Sequence, residues 1–314
     1  MQFLQSYFED EVRDGFYVPG MMKRAWAAQL EILEDIDKVC KKYNIQYFAD
    51  WGTLLGAVRH GGFIPWDDDL DICMKRADYN KFLSVAGTEL PECYNLVNCH
   101  NEYNGEICYE FLTRVVNGRQ ICFDEAHLKK FHGFPYVSGI DIFSMDFISA
   151  NKEEEAKRTA MVDYIRGVAD FMDSEYLGST ALEGQLCRIE ELCSASINRK
   201  GNVKQQLYLL MEQLFSLYNE QEAEEIAMMP LGLKKDRHRF PKACYQEVVM
   251  LPFENTKIPV PVLYDAILRK KYRNYLNLVR RGGAHEYPFY KRQEVILQEE
   301  TGIKPLQYEF SGIN

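Results

Sequence analysis

The stretch Phe63-Ile-Pro-Trp-Asp-Asp-Asp-Leu-Asp-Ile-Cys73 places four carboxylates, Asp67, Asp68, Asp69 and Asp71, within five positions. Leu70 and Ile72 alternate with Asp69 and Asp71, which is the period of a half-buried strand. Residues i and i+2 of a strand share a face, about 6–7 Å apart along the chain. Asp67, Asp69 and Asp71 are therefore expected on one face, with Leu70 and Ile72 turned to the core. Like charges packed this closely repel unless a cation lies between them. An all-oxygen donor set suits Mg²⁺ or Mn²⁺ and leaves coordination positions for phosphate oxygens. Asp69 and Asp71 are the expected ligands, with Asp67 a direct ligand or one step removed. Asp68 faces the other way and suits an N–H acceptor.

Two blander readings compete. An acidic run is commonly a solvated loop, but such a loop has no need of Trp66 before it and of Leu70 and Ile72 threaded through it. Asp67, Asp69 and Asp71 also match the first three ligands of an EF-hand. That reading fails at the sixth position, where Ile72 replaces the required Gly, and at the twelfth, where Asp78 replaces Glu.

A third carboxylate can join the pair. Ser138-Gly-Ile-Asp-Ile-Phe143 reads as a strand with an acid between two isoleucines. A buried Asp is costly unless it faces a metal or a polar cleft, so Asp141 is the natural companion of Asp69 and Asp71. An anion site is expected just upstream, in Asp50-Trp-Gly-Thr-Leu-Leu-Gly-Ala-Val-Arg-His60. Gly52 permits a tight strand-to-helix turn, Thr53 is a suitable N-cap, and Leu54 to His60 forms a short helix whose free amides attract an anion. Arg59 and His60 add positive charge. Arg114, on a strand, is either a phosphate ligand or the cross-strand partner of an acid, the commoner role. The turn Arg280-Arg-Gly-Gly-Ala-His285 is either a phosphate clamp or a solvated loop.

Around these residues the chain divides by pattern. Met21 to Tyr43 reads as an amphipathic helix with Met22, Trp26, Leu30, Leu33, Ile36, Cys40 and Tyr43 on one stripe. Strands are expected at 45–49 and 94–97, a helix at 76–86, and a hairpin of 106–116 with 121–123 turned at Asn117-Gly118. Residues 151–228 hold no clear strand pattern and read as three helices, 152–176, 181–198 and 202–228, the first capped by Asn151 with Glu154. Residues 245–251 suit a strand, 252–261 an extended proline-rich loop, and 262–275 a helix. The expected organisation is a catalytic core at 1–150, a helical insertion at 151–230 and a C-terminal segment at 231–314 that packs back on the core.

The chain has 314 residues, 46% hydrophobic, with 20 Tyr, 18 Phe and 3 Trp, enough for a sizeable core. Its net charge of −10 argues against broad nucleic-acid binding. The N-terminus lacks a basic, apolar leader pattern, and no apolar run reaches membrane-spanning length. Nine cysteines with no C-x-x-C pair read as reduced, mostly buried thiols of a cytosolic protein. Cys93, Cys99, Cys108 and Cys122 lack the spacing of a known zinc module.

The Asp50–His60 block, the Gly61–Asp71 block and Gly139-Ile-Asp-Ile-Phe143 resemble the signature blocks of the LicD/fukutin family, within the polymerase-β-like nucleotidyltransferase superfamily. Pro252-Phe-Glu254, Tyr264 and His285 are similar to its looser C-terminal pattern. The close part covers 45–85 and 136–146; the helical block carries no matching motif. The resemblance implies an α+β, nucleotidyltransferase-like mixed sheet core flanked by helices. It implies a Mg²⁺-dependent (or Mn²⁺-dependent) transfer of phosphocholine, or a similar phospho-alcohol, from a CDP-activated donor, CDP-choline favoured, onto a cell-surface glycan or its precursor, with release of CMP. Asp69, Asp71 and Asp141 would be catalytic, all three with Asp67 as metal ligands or Asp141 instead as general base, and Gly52, Thr53, Arg59, His60, Arg114, Glu254 and His285 substrate-binding. A lipid-linked acceptor would bring a cytoplasmic enzyme to the inner membrane face. A choline group would need an aromatic cage; Trp51, Trp66, Tyr109 and Tyr136 are near in sequence, and none is singled out. The same fold would serve nucleotidyl transfer from an NTP, and a decayed site would leave a non-catalytic glycan- or choline-binding protein.

Overall fold

A computed structural model describes residues 1–172, 179–280 and 287–302. The chain is α+β and forms two compact units. The first comprises Met1–Leu96, Leu112–Phe143 and Cys244–Asn314; the second comprises Val97–Phe111 and Ser144–Ala243.

The first unit is built on the helix Gly20–Lys42, whose expected stripe is buried from Met22 through Trp26, Leu30, Leu33 and Ile36 to Cys40. The helix ends before Asn44, which takes a left-handed φ of 50°. Beside it lies the sheet. Phe48–Ala49 pairs antiparallel with Asp71–Lys75, Phe48 opposite Cys73 and Ala49 opposite Ile72. The strand Gly139–Ser149 is the other neighbour of Asp71–Lys75. Its first half pairs antiparallel with Leu112–Val116, so that Arg114 stands directly opposite Asp141. That pairing corrects the expected hairpin of 106–116 with 121–123. Leu112–Val116 turns at Asn117 but takes its partner from 139–143, and 121–123 is not a strand. The Asn117 side chain closes the connection instead, bonding the Ser138 amide at 2.8 Å and the Tyr136 carbonyl at 3.2 Å.

The proline-rich segment is also not a loop. Val248–Phe253 and Thr256–Pro261 form a hairpin with a two-residue turn. Pro252, Pro259 and Pro261 fall in the pairs 252/257, 250/259 and 248/261, every second rung of the ladder. The Val262 amide bonds the Glu247 carbonyl, which fixes the intervening rungs as the hydrogen-bonded ones. The prolines thus occupy rungs that need no N–H from them.

In the second unit, helices Lys152–Phe171, Ser179–Cys193 and Val203–Phe215 bury Val162, Ile165, Leu186, Ile189, Leu207, Met211 and Phe215 in one cluster. The expected third helix, 202–228, is cut short. Asn219 accepts from the amides of Gln221 and Glu222 at 2.9 and 3.3 Å, and this local turn breaks the helix. Ala223–Met228 then forms a strand, antiparallel both to the second half of 139–149 and to Arg239–Pro241. Its Ala and Glu residues favour a helix in isolation; pairing on both edges overrides that preference. Among the described residues no disulfide joins the cysteines, and four of the nine (Cys40, Cys73, Cys99, Cys244) are buried, fewer than the sequence suggested. No described helix is long and apolar enough to cross a membrane.

Candidate active site

The strand 48–49 ends at Asp50, and the helix Trp51–Arg59 starts immediately after it. Asp50, not Thr53, is the N-cap, and its carboxylate accepts from the Trp51 amide at 2.8 Å. The helix therefore begins earlier than its sequence suggests. Thr53, released from capping, is buried and its hydroxyl accepts from the Asp71 amide at 2.8 Å. The Asp50 amide in turn donates to the Asp71 carbonyl at 3.0 Å. Helix start and acidic strand are thereby locked together. Trp51 pays a backbone cost, with φ of 44°. Its ring lies under the Lys271 ammonium, 4.1 Å from the centroid. Lys271 also forms a salt bridge with Asp50, and both side chains are almost wholly buried. Nothing in Leu268-Arg-Lys-Lys-Tyr272 marks that lysine apart from its basic neighbours.

The acidic loop is held from behind by the 20–42 helix. Trp26 Nε1 donates to the Asp67 carbonyl at 3.1 Å and Gln29 Nε2 to the Asp68 carbonyl at 2.7 Å. Asp68 is buried and accepts from the Phe289 amide at 2.5 Å, the N–H acceptor role expected of it. The regular strand begins only at Asp71, so Asp67 and Asp69 sit in the approach to it. They nonetheless reach the same space. The Asp141 amide donates to the Leu70 carbonyl at 3.1 Å, which sets Asp141 beside them.

These residues open on a cavity of about 650 Å³ lined by Asp67, Asp69, Asp71, Asp141, Gly52 and Arg59, with Trp51, Trp66 and Tyr272 among its aromatic walls. Burial pushes the Asp71 carboxyl well above the usual carboxylate range, and the charges of Asp69, Asp141, Asp67 and Asp50 add to the effect. The Tyr272 phenol is pushed up by burial and by the charges of Asp50, Asp71, Asp67 and Asp69. Oxygen atoms of Asp67, Asp68 and Asp69 lie within 4.8 Å of one another. A crowded set of hard carboxylate oxygens is the donor set a hard divalent cation fits.

Gly52 has a steric reason to be glycine. A Cβ there would stand 2.1 Å from Asp67 Oδ2. The obstacle is the end of a side chain, so Gly52→Ala is expected to fold while displacing the Asp67 carboxylate. Misplacing a catalytic constellation by about 1 Å costs on the order of 10²-fold, and kcat of Gly52→Ala should fall by about that factor with the circular dichroism spectrum unchanged.

The remaining expected ligands divide. Arg114 forms a two-pronged salt bridge with Asp141, with Nη2 to Oδ2 at 2.6 Å, the cross-strand role. The pair lines an adjoining cavity of about 310 Å³ that shares Asp69 and Asp141 with the larger one. Arg59 lines the main cavity while its guanidinium donates to the carbonyls of Tyr275 and Asn277 at 2.9 and 3.1 Å. His60 and Glu254 lie together in a different cleft, with Arg13 and Asp14, and do not line the acid cavity. Burial, then Arg59, lowers the His60 pKa. Glu254 accepts from Arg13 Nη1 at 2.7 Å and from the Phe63 amide at 3.1 Å, so its visible work is to hold the Gly61–Phe63 turn. His285 lies outside the described residues. Of the aromatics, Trp51 and Trp66 line the cavity. Tyr136 is buried in a stack with Tyr290, and Tyr109 belongs to the second unit, packed on Tyr208.

The α+β core thus gathers four carboxylates and a helix start around one cavity. Residues 44–131 match the family described as LicD/FKTN/FKRP, nucleotidyltransferase domain. It is 42% identical over 85 residues to the lipopolysaccharide cholinephosphotransferase LicD of Haemophilus influenzae, covering 26% of this chain and 32% of that protein. It is 37% identical over 51 residues to the human ribitol 5-phosphate transferase FKRP, covering 16% of this chain and 10% of that one. An uncharacterised protein of Rickettsia typhi is 46% identical over 55 residues, or 18% of each chain. The alignments thus span about a third or less of the length of these relatives. The matched segment contains Gly52, Thr53, Arg59, His60, Asp67, Asp69, Asp71 and Arg114; Asp141, Glu254 and His285 lie beyond it.

Proposed function

We propose that the protein transfers a phospho-alcohol, phosphocholine in the favoured case, from a CDP-activated donor to a hydroxyl of a cell-surface glycan or its precursor. The observation that carries this reading is the convergence of Asp67, Asp69, Asp71 and Asp141 on one cavity at the start of the 51–59 helix. Its relatives' names, a cholinephosphotransferase and a ribitol 5-phosphate transferase, agree in reaction type. The polymerase-β-like form of the nucleotidyltransferase fold is part of the same proposal.

In this reading the donor diphosphate lies in the 650 Å³ cavity. Asp69 and Asp71, with Asp67 and Asp141 beside them, would hold Mg²⁺ or Mn²⁺, which would neutralise the diphosphate charge. The backbone at Gly52 and Thr53 and the Arg59 guanidinium face phosphate oxygens. Asp141 receives the proton of the acceptor hydroxyl as its oxygen bonds to the phosphorus that carries the alcohol. The bridging P–O bond to CMP breaks, and CMP leaves with the bonding pair. Arg114 orients the Asp141 carboxylate for this task. Trp51 and Trp66 line the cavity a quaternary ammonium would enter, with Lys271 already over the Trp51 ring and Arg280 over that of Trp66. The reaction is placed in the cytoplasm, at the inner membrane face where the acceptor is lipid-linked.

Thermal shift tests donor binding. With Mg²⁺ present, CDP-choline, CDP-ethanolamine, CDP-ribitol or CDP-glycerol should raise Tm, and the shift should vanish with EDTA. A shift with NTPs alone would reassign the site to nucleotidyl transfer.

A further inference from the structure

A second group of metal-ligating side chains lies in the second unit, well apart in sequence from the acid cluster. Cys99, His100 and Glu212 each offer one ligand atom, and these atoms all lie within 4.8 Å of one another. His100 Nε2 is 2.7 Å from Glu212 Oε2, and Cys99 Sγ is 3.7 Å from the same oxygen. We propose that Cys99, His100 and Glu212 form a zinc site that ties the 97–111 segment to the 203–215 helix.

The donor set is a thiol, an imidazole and a carboxylate, the mixture that borderline Zn²⁺ takes and that Mg²⁺ or Ca²⁺ does not. Ligand distances of about 2.0–2.3 Å in a tetrahedron put neighbouring ligand atoms roughly 3.3–3.7 Å apart. The Cys99–Glu212 separation of 3.7 Å already matches that spacing, and the His100–Glu212 contact of 2.7 Å would open by under an ångström to reach it.

The ligands are also held in place by their own surroundings. Cys99 and His100 sit in a tight turn closed by the bridge between Asn98 and Asn101, and the His100 amide donates to Asn98 Oδ1 at 3.0 Å. Gln205 Nε2 donates to the carbonyls of Cys99 and His100 at 3.0 and 3.3 Å. Gln205 and Glu212 are two helical turns apart on one face of the same helix, so one fixes the backbone of the turn while the other reaches its side chains. Cys99 and Glu212 are buried, whereas His100 is 39% exposed at its side chain, so the fourth coordination position opens to water. Three protein ligands with a fourth position open to water make the open form of a zinc site, not the closed four-ligand form of a purely structural one. The sequence hid it because the third ligand lies 113 residues from the first. Of the four cysteines with a conceivable zinc role, Cys99 alone belongs to the group.

The test is cobalt substitution of untagged, full-length protein stripped of metal with chelator. Co²⁺ is expected to bind at about one ion per chain and to give a thiolate-to-cobalt charge-transfer band with intense tetrahedral d–d bands, displaced by Zn²⁺. Cys99→Ser should abolish the charge-transfer band. His100→Ala changes the most exposed of the three ligands and should weaken cobalt binding by at least about tenfold, with the circular dichroism spectrum confirming the fold. Asp69→Asn with Asp71→Asn should leave the bands intact, separating this site from the acid cavity. Absence of the bands in the wild type, or their persistence in Cys99→Ser, overturns the proposal.

Discussion

Asp71→Asn is expected to abolish turnover, by at least about 10³-fold, and to raise the Tm of the metal-free protein at neutral pH. The two effects share one cause. Asp71 is buried among Asp69, Asp141, Asp67 and Asp50, and its carboxyl is pushed well above the carboxylate range. The folded-state pKa is raised above the unfolded one. Below the unfolded value the group is neutral in both states and costs nothing; as pH rises through the folded pKa the native state must carry an unfavourable buried charge. Asparagine keeps the shape and removes that charge. Thermal melts in EDTA should show the variant more stable near pH 7 and equal to wild type below about pH 4. Asp69→Asn should lose activity to a similar degree. Full activity in either variant would remove the acid pair from the mechanism, and a lower neutral-pH Tm for Asp71→Asn would contradict the electrostatic account.

Lys271→Met should produce the largest loss of stability. The Lys271–Asp50 pair is buried on both sides, and Asp50 caps the helix on which Gly52 and Thr53 sit. Removing one partner of a buried pair leaves the other charge uncompensated, which costs about 3–5 kcal/mol. Urea unfolding should show this as a lower midpoint with an unchanged slope. Adding Asp50→Asn to Lys271→Met should recover much of the loss, because no unpaired charge then remains. A single-variant cost under about 1 kcal/mol would match a solvated pair instead.

The Asp141 strand was legible because alternation over a few residues is a local signal; the acid stretch was legible as a cluster, though its regular strand begins only at Asp71 and leaves Asp67, Asp69 and Leu70 in the approach. Arg114 reads as a phosphate ligand, with a surface cross-strand partner as the alternative; that its partner is Asp141 could not be read. What could not be read depends on distant contacts. Asp50 displaces Thr53 as the cap because Lys271, far along the chain, neutralises it. Glu254 reads as a ligand from its motif, yet its neighbours Arg13 and Phe63 make it a brace for the Gly61–Phe63 turn. The 223–228 strand has helix-forming residues and is decided by its two pairing edges. The 248–261 hairpin hides behind prolines that happen to occupy the permissive rungs.

The central claim is that the acid cavity catalyses phospho-alcohol transfer from a CDP donor, and CMP release tests it most directly. Purified protein with Mg²⁺ would be incubated with the CDP-alcohols and with NTPs, following CMP and pyrophosphate. The account predicts metal-dependent CMP formation from a CDP-alcohol, CDP-choline first, lost in Asp69→Asn and Asp71→Asn. Pyrophosphate release from an NTP with no CMP from any CDP-alcohol would contradict it.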